Sequence, residues 1–92
     1  MSTYILFGKY SPASIKDVSA ERTGKATQLI TENGGSVKAG YALLGETDLV
    51  LVIDFPNNEA AIKTSVGLAK MLGIAFSTAP AVSIEEFDKL VG

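Results

Sequence analysis

The chain has 92 residues, which is enough for one domain and leaves no room for a second hydrophobic core. It contains no cysteine and no histidine, which excludes disulfide frameworks, zinc–thiolate sites, thiol nucleophiles and the commonest general base. Eight basic and ten acidic residues give a net charge of −2 without a basic cluster, so no nucleic-acid partner is predicted.

The first predicted element is a strand from Thr3 to Tyr10, which is rich in β-branched and aromatic residues. Helical periodicity follows it. A short turn of helix is expected before a longer helix from about Ala20 to Asn33, for which Ser19 is the N-cap. Gly34-Gly35 ends this helix, because glycine adopts the left-handed conformation of a helix C-terminus without strain.

Two strands joined by a hairpin come next. Alternating residues from Val37 to Leu44 predict strand two, and Gly45-Glu46 is the expected core of a tight turn. Strand three is predicted from Thr47 to Phe55. Strict alternation along strand two places Lys38 and Tyr41 on opposite faces of the sheet.

The last third of the chain predicts a helix, a strand and a short terminal helix. The helix runs from its cap at Asn57 to about Leu72 and ends at Gly73. Strand four is predicted from Ile74 to Val82, and Pro80 within it is typical of an edge strand. Ser83 to Leu90 has the spacing of a capped helix.

The resulting β-α-β-β-α-β order is that of a ferredoxin-like α+β domain covering residues 1–92. We expect a four-stranded antiparallel sheet with strands one and three at its centre and two helices on one face. Weak similarity between the two halves of the chain is a property of this arrangement. No linker or low-complexity segment interrupts it.

Both central strands are apolar on both of their faces. Leu49, Leu51 and Ile53 point to one side of strand three, and Val50 and Val52 point to the other. Strands that are apolar on both faces are covered on both faces, and nothing else in so short a chain can cover the second one. The sequence therefore predicts a homodimer that pairs through the sheet face. The alternative is that β-propensity alone accounts for the valines.

No segment predicts a membrane partner. The longest purely apolar run, Leu49 to Ile53, is far shorter than the roughly 20 residues of a membrane helix. The N-terminus leads directly into strand one without a basic start, so a signal peptide is not expected and the predicted location is cytoplasmic.

Three short motifs carry a family resemblance. They are Gly34-Gly35-Ser36-Val37-Lys38, Gly45-Glu46-Thr47-Asp48, and Phe55-Pro56 followed by Asn57-Asn58-Glu59-Ala60-Ala61. In order and spacing the chain resembles the bacterial GYD-domain family from Thr3 to Phe87, with Arg22 where that family usually has an arginine. Thr47 stands in place of the tyrosine of the family signature, so a role that needs the phenol is not carried over.

The resemblance implies a dimeric α+β barrel, for a family without an established biochemical function. A similar hairpin pattern occurs in the ligand-sensing domain of leucine-responsive regulators, which bind small effectors between subunits. That similarity is an analogy of fold and does not supply a reaction.

Three residues are candidates for ligand binding. Asp48 could contact a ligand or act as a general base, but the favoured interpretation is an acceptor that fixes the hairpin by bonding backbone amides near Gly45. Arg22, the only arginine, could hold a carboxylate or phosphate, but a helix arginine more often pairs with a nearby acid or is solvated. Tyr41 could present its hydroxyl to a pocket or pack its ring.

No catalytic residue, metal site or cofactor is predicted. There is no glycine-rich phosphate loop, and Asp48 and Asp54 lie about 20 Å apart along a strand, too far to share a metal. The leading hypothesis is a homodimeric small-ligand-binding or accessory module with its site between the paired sheets. One alternative is a cofactor-free dimeric-barrel oxygenase or isomerase acting on a small cyclic substrate. The other is a structural or protein-interaction dimer.

Overall fold

The structure, a computed structural model, describes residues 1–92 and contains four strands and four helices. In chain order the elements are β1 (Ser2–Tyr10), α1 (Pro12–Lys16), α2 (Ala20–Glu32), β2 (Ser36–Ala42), β3 (Leu49–Phe55), α3 (Asn58–Leu72), β4 (Ile74–Ala81) and α4 (Ile84–Val91). The fold is α+β and ferredoxin-like, as predicted, with α1 and α4 added to the six elements of that arrangement.

The four strands form one antiparallel sheet in the order β2-β3-β1-β4, which confirms the central position of β1 and β3. β4 lies at an edge, as Pro80 predicted. Directly opposite residues of antiparallel strands point to the same side, so the register assigns each side chain to a face. The face without α2 and α3, the open face, carries Thr3, Ile5, Phe7 and Lys9 of β1, Val50, Val52 and Asp54 of β3, and Ala75, Ser77, Ala79 and Ala81 of β4.

The hydrophobic core lies between the other face of the sheet and the helices α2 and α3. Its fully buried members include Leu6, Ile53, Phe55 and Leu68. Tyr4 packs its ring edge-on against Phe55 with centroids 5.6 Å apart, and its hydroxyl donates a hydrogen bond to an asparagine at the start of α3. This is the packed ring with an edge hydroxyl that is typical of strand tyrosines.

The helix boundaries follow from local capping chemistry. Oxygens of Ser19, Asn57 and Ser83 each accept a hydrogen bond from the amide three residues on, at 3.0, 2.8 and 3.1 Å respectively. Gly34 and Gly73 have φ angles of 81° and 68°, the left-handed conformation that ends a helix. The predicted starts of α2, α3 and α4 and the glycine stops of α2 and α3 are therefore confirmed.

The connection between β2 and β3 differs from the predicted tight turn at Gly45-Glu46. The amide of Leu43 donates to the carbonyl of Asp48 at 2.8 Å, and four residues form the loop between them. Two-residue hairpins of the favoured types need a positive φ, and Gly45 does not have one. The prediction of a tight turn is wrong, and Leu44 is fully exposed at the tip of a longer loop.

A β-bulge in β2 changes which of its side chains share a face. The register shifts between Val37 and Ala39, so Lys38 is an extra residue on this strand. Nζ of Lys38 lies 3.6 Å from Oδ2 of Asp54 on the open face. Tyr41 belongs to the same face, because its partner in β3 is an open-face valine. The prediction that Lys38 and Tyr41 lie on opposite faces is therefore wrong, since strict alternation does not hold across a bulge.

Candidate functional site

An apolar cleft of about 320 Å³ opens between α2 and the strands β2 and β3, on the helix-bearing side of the sheet. Twelve of its sixteen lining residues are hydrophobic, among them Ala26 and Ile30 of α2 and Leu49 and Leu51 of β3. Its volume is at the lower end of the roughly 300–1,000 Å³ that small-molecule sites occupy. The cleft can therefore hold a small, mainly apolar molecule.

The cleft exists because α2 covers β2 incompletely. Ile30 is the only buried residue of α2, and every residue of β2 except Ala39 is exposed. The β2 residues that face the cleft are small, notably Gly40 and Ala42. A Cβ atom on Gly40 would lie 3.0 Å from Cδ2 of Leu51, so the glycine leaves room for that leucine in the wall of the cleft.

Arg22 carries the only charge in the cleft lining. Its Nη1 donates a hydrogen bond to the carbonyl oxygen of Ser14 at 2.7 Å, and its guanidinium carbon lies 5.8 Å from the centre of the Tyr10 ring. These contacts hold the side chain in place and use one of its five N–H donors. The remaining donors can bind a carboxylate in the planar fork geometry of arginine.

Asp48 lies outside the cleft and ties two strands together. Its Oδ2 accepts a hydrogen bond from the amide of Tyr10 at 2.9 Å, and its own amide donates to the carbonyl of Gly8 at 2.9 Å. The bonds of Asp48 therefore extend the β1–β3 pairing by one residue before the start of β3. This is a structural bond to a backbone amide, although the amide belongs to β1 and not to the hairpin near Gly45.

Replacing Asp48 by asparagine is expected to lower the free energy of unfolding by about 1 kcal/mol, because a neutral oxygen accepts the Tyr10 amide more weakly than a carboxylate. Urea denaturation at neutral pH, followed by circular dichroism, measures the change. Glu46→Gln is the matched control, since it removes the same charge from an exposed position of the same loop. Equal stability of both variants would contradict a structural role for Asp48.

The three candidate residues do not form one cluster. Arg22 lies at the cleft, Asp48 borders a separate depression beside α1, and Tyr41 borders the cleft while its register directs its side chain to the open face. Tyr10 connects the first two, because its ring contacts Arg22 and its amide binds Asp48. Sequence reasoning missed the cleft itself, although the small residues that alternate along β2 at Gly40 and Ala42 were a usable signal.

A polar cluster occupies one end of the open face. The Thr3 hydroxyl donates to Oδ1 of Asp54 at 2.7 Å and lowers the pKa of that carboxyl below its ordinary value, and the Lys38 ammonium acts in the same direction. Because folding depresses this pKa, the stabilising contribution of Asp54 is present above the ordinary carboxyl pKa. It is lost as the pH falls through the lower pKa of the folded state.

The remainder of the open face is apolar and partly accessible. Phe7 is 41% exposed, and Ile5, Val50 and Val52 beside it are half-buried.

No group of three or more carboxylates comes together in a way that could hold a metal ion. None of the helices is both long enough and apolar enough to span a membrane.

Comparisons with known proteins bear on this geometry. The family model of the GYD domain matches residues 4–91, and no curated protein matches the chain. Among solved structures, the leucine response regulatory protein LrpA of Mycobacterium tuberculosis superimposes with a TM-score of 0.59 at 8% identity over 89% of this chain and 51% of its own. A second crystal structure, of a glutamate-to-alanine mutant, gives 0.58 at 10% identity over 89% and 50%. The chain thus spans about half the length of these structures, and at such identities the similarity concerns the fold.

Proposed function

The chain belongs to the GYD domain family, and from that premise we propose that it is a homodimeric module that binds a small apolar carboxylate in the cleft beside α2. The observation that carries the proposal is the chemistry of the cleft, which combines apolar walls with one cation. Apolar walls bind a hydrocarbon group, and a guanidinium fixes the position of an anionic head.

Binding is better supported than catalysis. The only polar side-chain groups in the lining, besides the two tyrosines, are Arg22, Thr23 and Thr27. Asp48, one of the groups that an enzyme could use as a general base, bonds the Tyr10 amide outside the cleft. The ligand site is accordingly proposed on the helix side of each sheet, and no longer in the space between two paired sheets.

The dimer is supported by the open face. Ile5, Phe7, Val50 and Val52 form an apolar strip across the two central strands, with small alanines of β4 beside it. A second copy packed on this strip would remove it from water, and two-fold pairing is the commonest arrangement for such a self-complementary face.

The test of ligand binding uses octanoate and its uncharged analogue octanol. We expect octanoate, below its micelle concentration, to shift amide resonances of cleft residues such as Ala26 and Gly40 in a ¹⁵N–¹H correlation spectrum. Replacing Arg22 by glutamine is expected to weaken octanoate binding by about tenfold, the effect of losing one charge-assisted pair, and to leave octanol binding unchanged.

Lys25→Gln is the control for this experiment. Lys25 lies on the same helix and carries the same charge, but it pairs with Glu21 at 3.6 Å on the exposed side. It should not affect either probe. Octanoate binding that is unchanged by Arg22→Gln, or resonance shifts confined to residues outside the cleft, would overturn the proposed ligand class.

A further inference from the structure

The C-terminal helix α4 is well capped but has no partner within its own chain. Ser83 caps it, and Lys89 and Glu85 form an ion pair of 3.6 Å along its surface. None of its residues is buried. An isolated helix of eight residues is marginal in water, so α4 needs packing against another surface to be stable.

One side of α4 is apolar and open to solvent. Ile84, Phe87, Leu90 and Val91 share this side at helical spacing and are 76, 50, 66 and 67% exposed. The opposite side carries three acids and one lysine. A helix that binds a membrane surface or nucleic acid presents lysine and arginine on its polar side, so an acidic polar side argues against both partners.

The chain exposes more surface than a compact monomer of its mass, and the excess is similar to the area that a second copy would cover. The accessible surface is 6070 Å², whereas a compact monomer of this mass exposes about 5,100 Å². The excess of about 1,000 Å² is close to the roughly 800 Å² that each partner buries in a stable protein–protein interface. The apolar side of α4 and the open face both carry exposed apolar side chains that such an interface would cover.

The position of α4 connects it with the open face. The helix begins three residues after Ala81, which the register places opposite Thr3 on that face. An interface formed on the open face would therefore extend to the start of α4. Val82, which follows Ala81, is also apolar and 55% exposed, so an apolar path leads along β4 from the open face to the helix, beside the polar cluster of Thr3 and Asp54.

We propose that α4 is a clasp, which packs Ile84, Phe87, Leu90 and Val91 against the second copy of the chain and closes the rim of the dimer. This inference rests on the dimer of the proposed function and adds to it a second contact surface. Each copy contributes one clasp, as two-fold symmetry requires.

The test replaces Phe87 and Leu90 together by glutamine in the full chain, which removes the apolar side and keeps a good helix former. Sedimentation equilibrium is expected to show a dissociation constant at least about 100-fold higher than that of the unchanged chain. The control replaces Glu85 and Lys89 by glutamine, which changes the opposite side of α4 at constant net charge. Its dissociation constant is expected to stay within about threefold of the original.

Isotope-filtered nuclear Overhauser spectra of mixed labelled and unlabelled chains identify what Phe87 contacts. Contacts between two chains support the clasp. Contacts within one chain overturn it. An unchanged dissociation constant of the Phe87 and Leu90 variant overturns it as well. In both cases the proposed pairing through the open face still stands. An unchanged chain that is monomeric at about 100 µM overturns the dimer itself, before any variant is made.

Discussion

Replacing Val50 by lysine is expected to convert the dimer into a monomer. Val50 lies in the middle of the open face, directly opposite Phe7 in β1. In the dimer a lysine there would be buried without a partner for its charge, which costs several kcal/mol. In the monomer Val50 is already half-exposed, so the domain itself should keep its fold. Native mass spectrometry and light scattering measure the change in mass.

Ile62→Lys provides the matched comparison for this result. Ile62 is an apolar residue of α3 that is 64% exposed on the opposite side of the molecule, where no pairing is proposed. It should leave the dimer intact. A dimeric Val50→Lys protein, or a monomeric Ile62→Lys protein, would show that the chain does not pair through the open face.

Replacing Leu6 by alanine is expected to lower the free energy of unfolding by about 3 kcal/mol. Leu6 lies in the central strand β1 and is completely buried, so its truncation removes apolar contacts and leaves a cavity that the sheet cannot collapse to fill. In a domain of this size the loss corresponds to a decrease in Tm of roughly 10–25 °C. Thermal unfolding followed by circular dichroism measures it.

Leu44→Ala makes the same chemical change at a fully exposed position in the loop between β2 and β3. The expected effect is within about 0.5 kcal/mol of zero, because a surface truncation of this kind leaves no cavity. If the two variants unfolded at the same temperature, the assignment of Leu6 to the core would be contradicted.

The elements that sequence predicted well are those fixed by local chemistry. Ser19 and Asn57 begin helices because their oxygens satisfy free amides, and Gly73 ends one because glycine tolerates a positive φ. Alternation also assigned the faces of β3 correctly, since no bulge interrupts its pairing with β1.

Prediction failed where geometry depends on a neighbouring strand or helix. The loop after β2 is longer than Gly45-Glu46 indicated, because the residues at its ends bond to each other and Gly45 keeps a negative φ. The bulge at Lys38 arises from pairing with β3, which periodicity within β2 cannot reveal.

Of the candidate site, residue chemistry predicted Arg22 as an anion ligand, and this role stays a prediction. The cleft beside it results from the packing of α2 on the sheet, of which the alternating small residues Gly40 and Ala42 of β2 were the one indication in the sequence. The sequence predicted that Asp48 accepts a hydrogen bond from a backbone amide. That the amide is the one of Tyr10 became evident only from the position of β1 beside β3.

The two edges of the sheet have a consequence for aggregation. An edge strand with free amides and carbonyls is a template on which another chain can grow into a fibril. β4 carries Pro80, which has no amide hydrogen to donate, and β2 carries a bulge with a charged lysine at its centre. A further strand therefore cannot form a regular series of backbone hydrogen bonds with either edge. We expect this apolar chain to resist amyloid growth, and its self-association to stop at a closed, finite assembly.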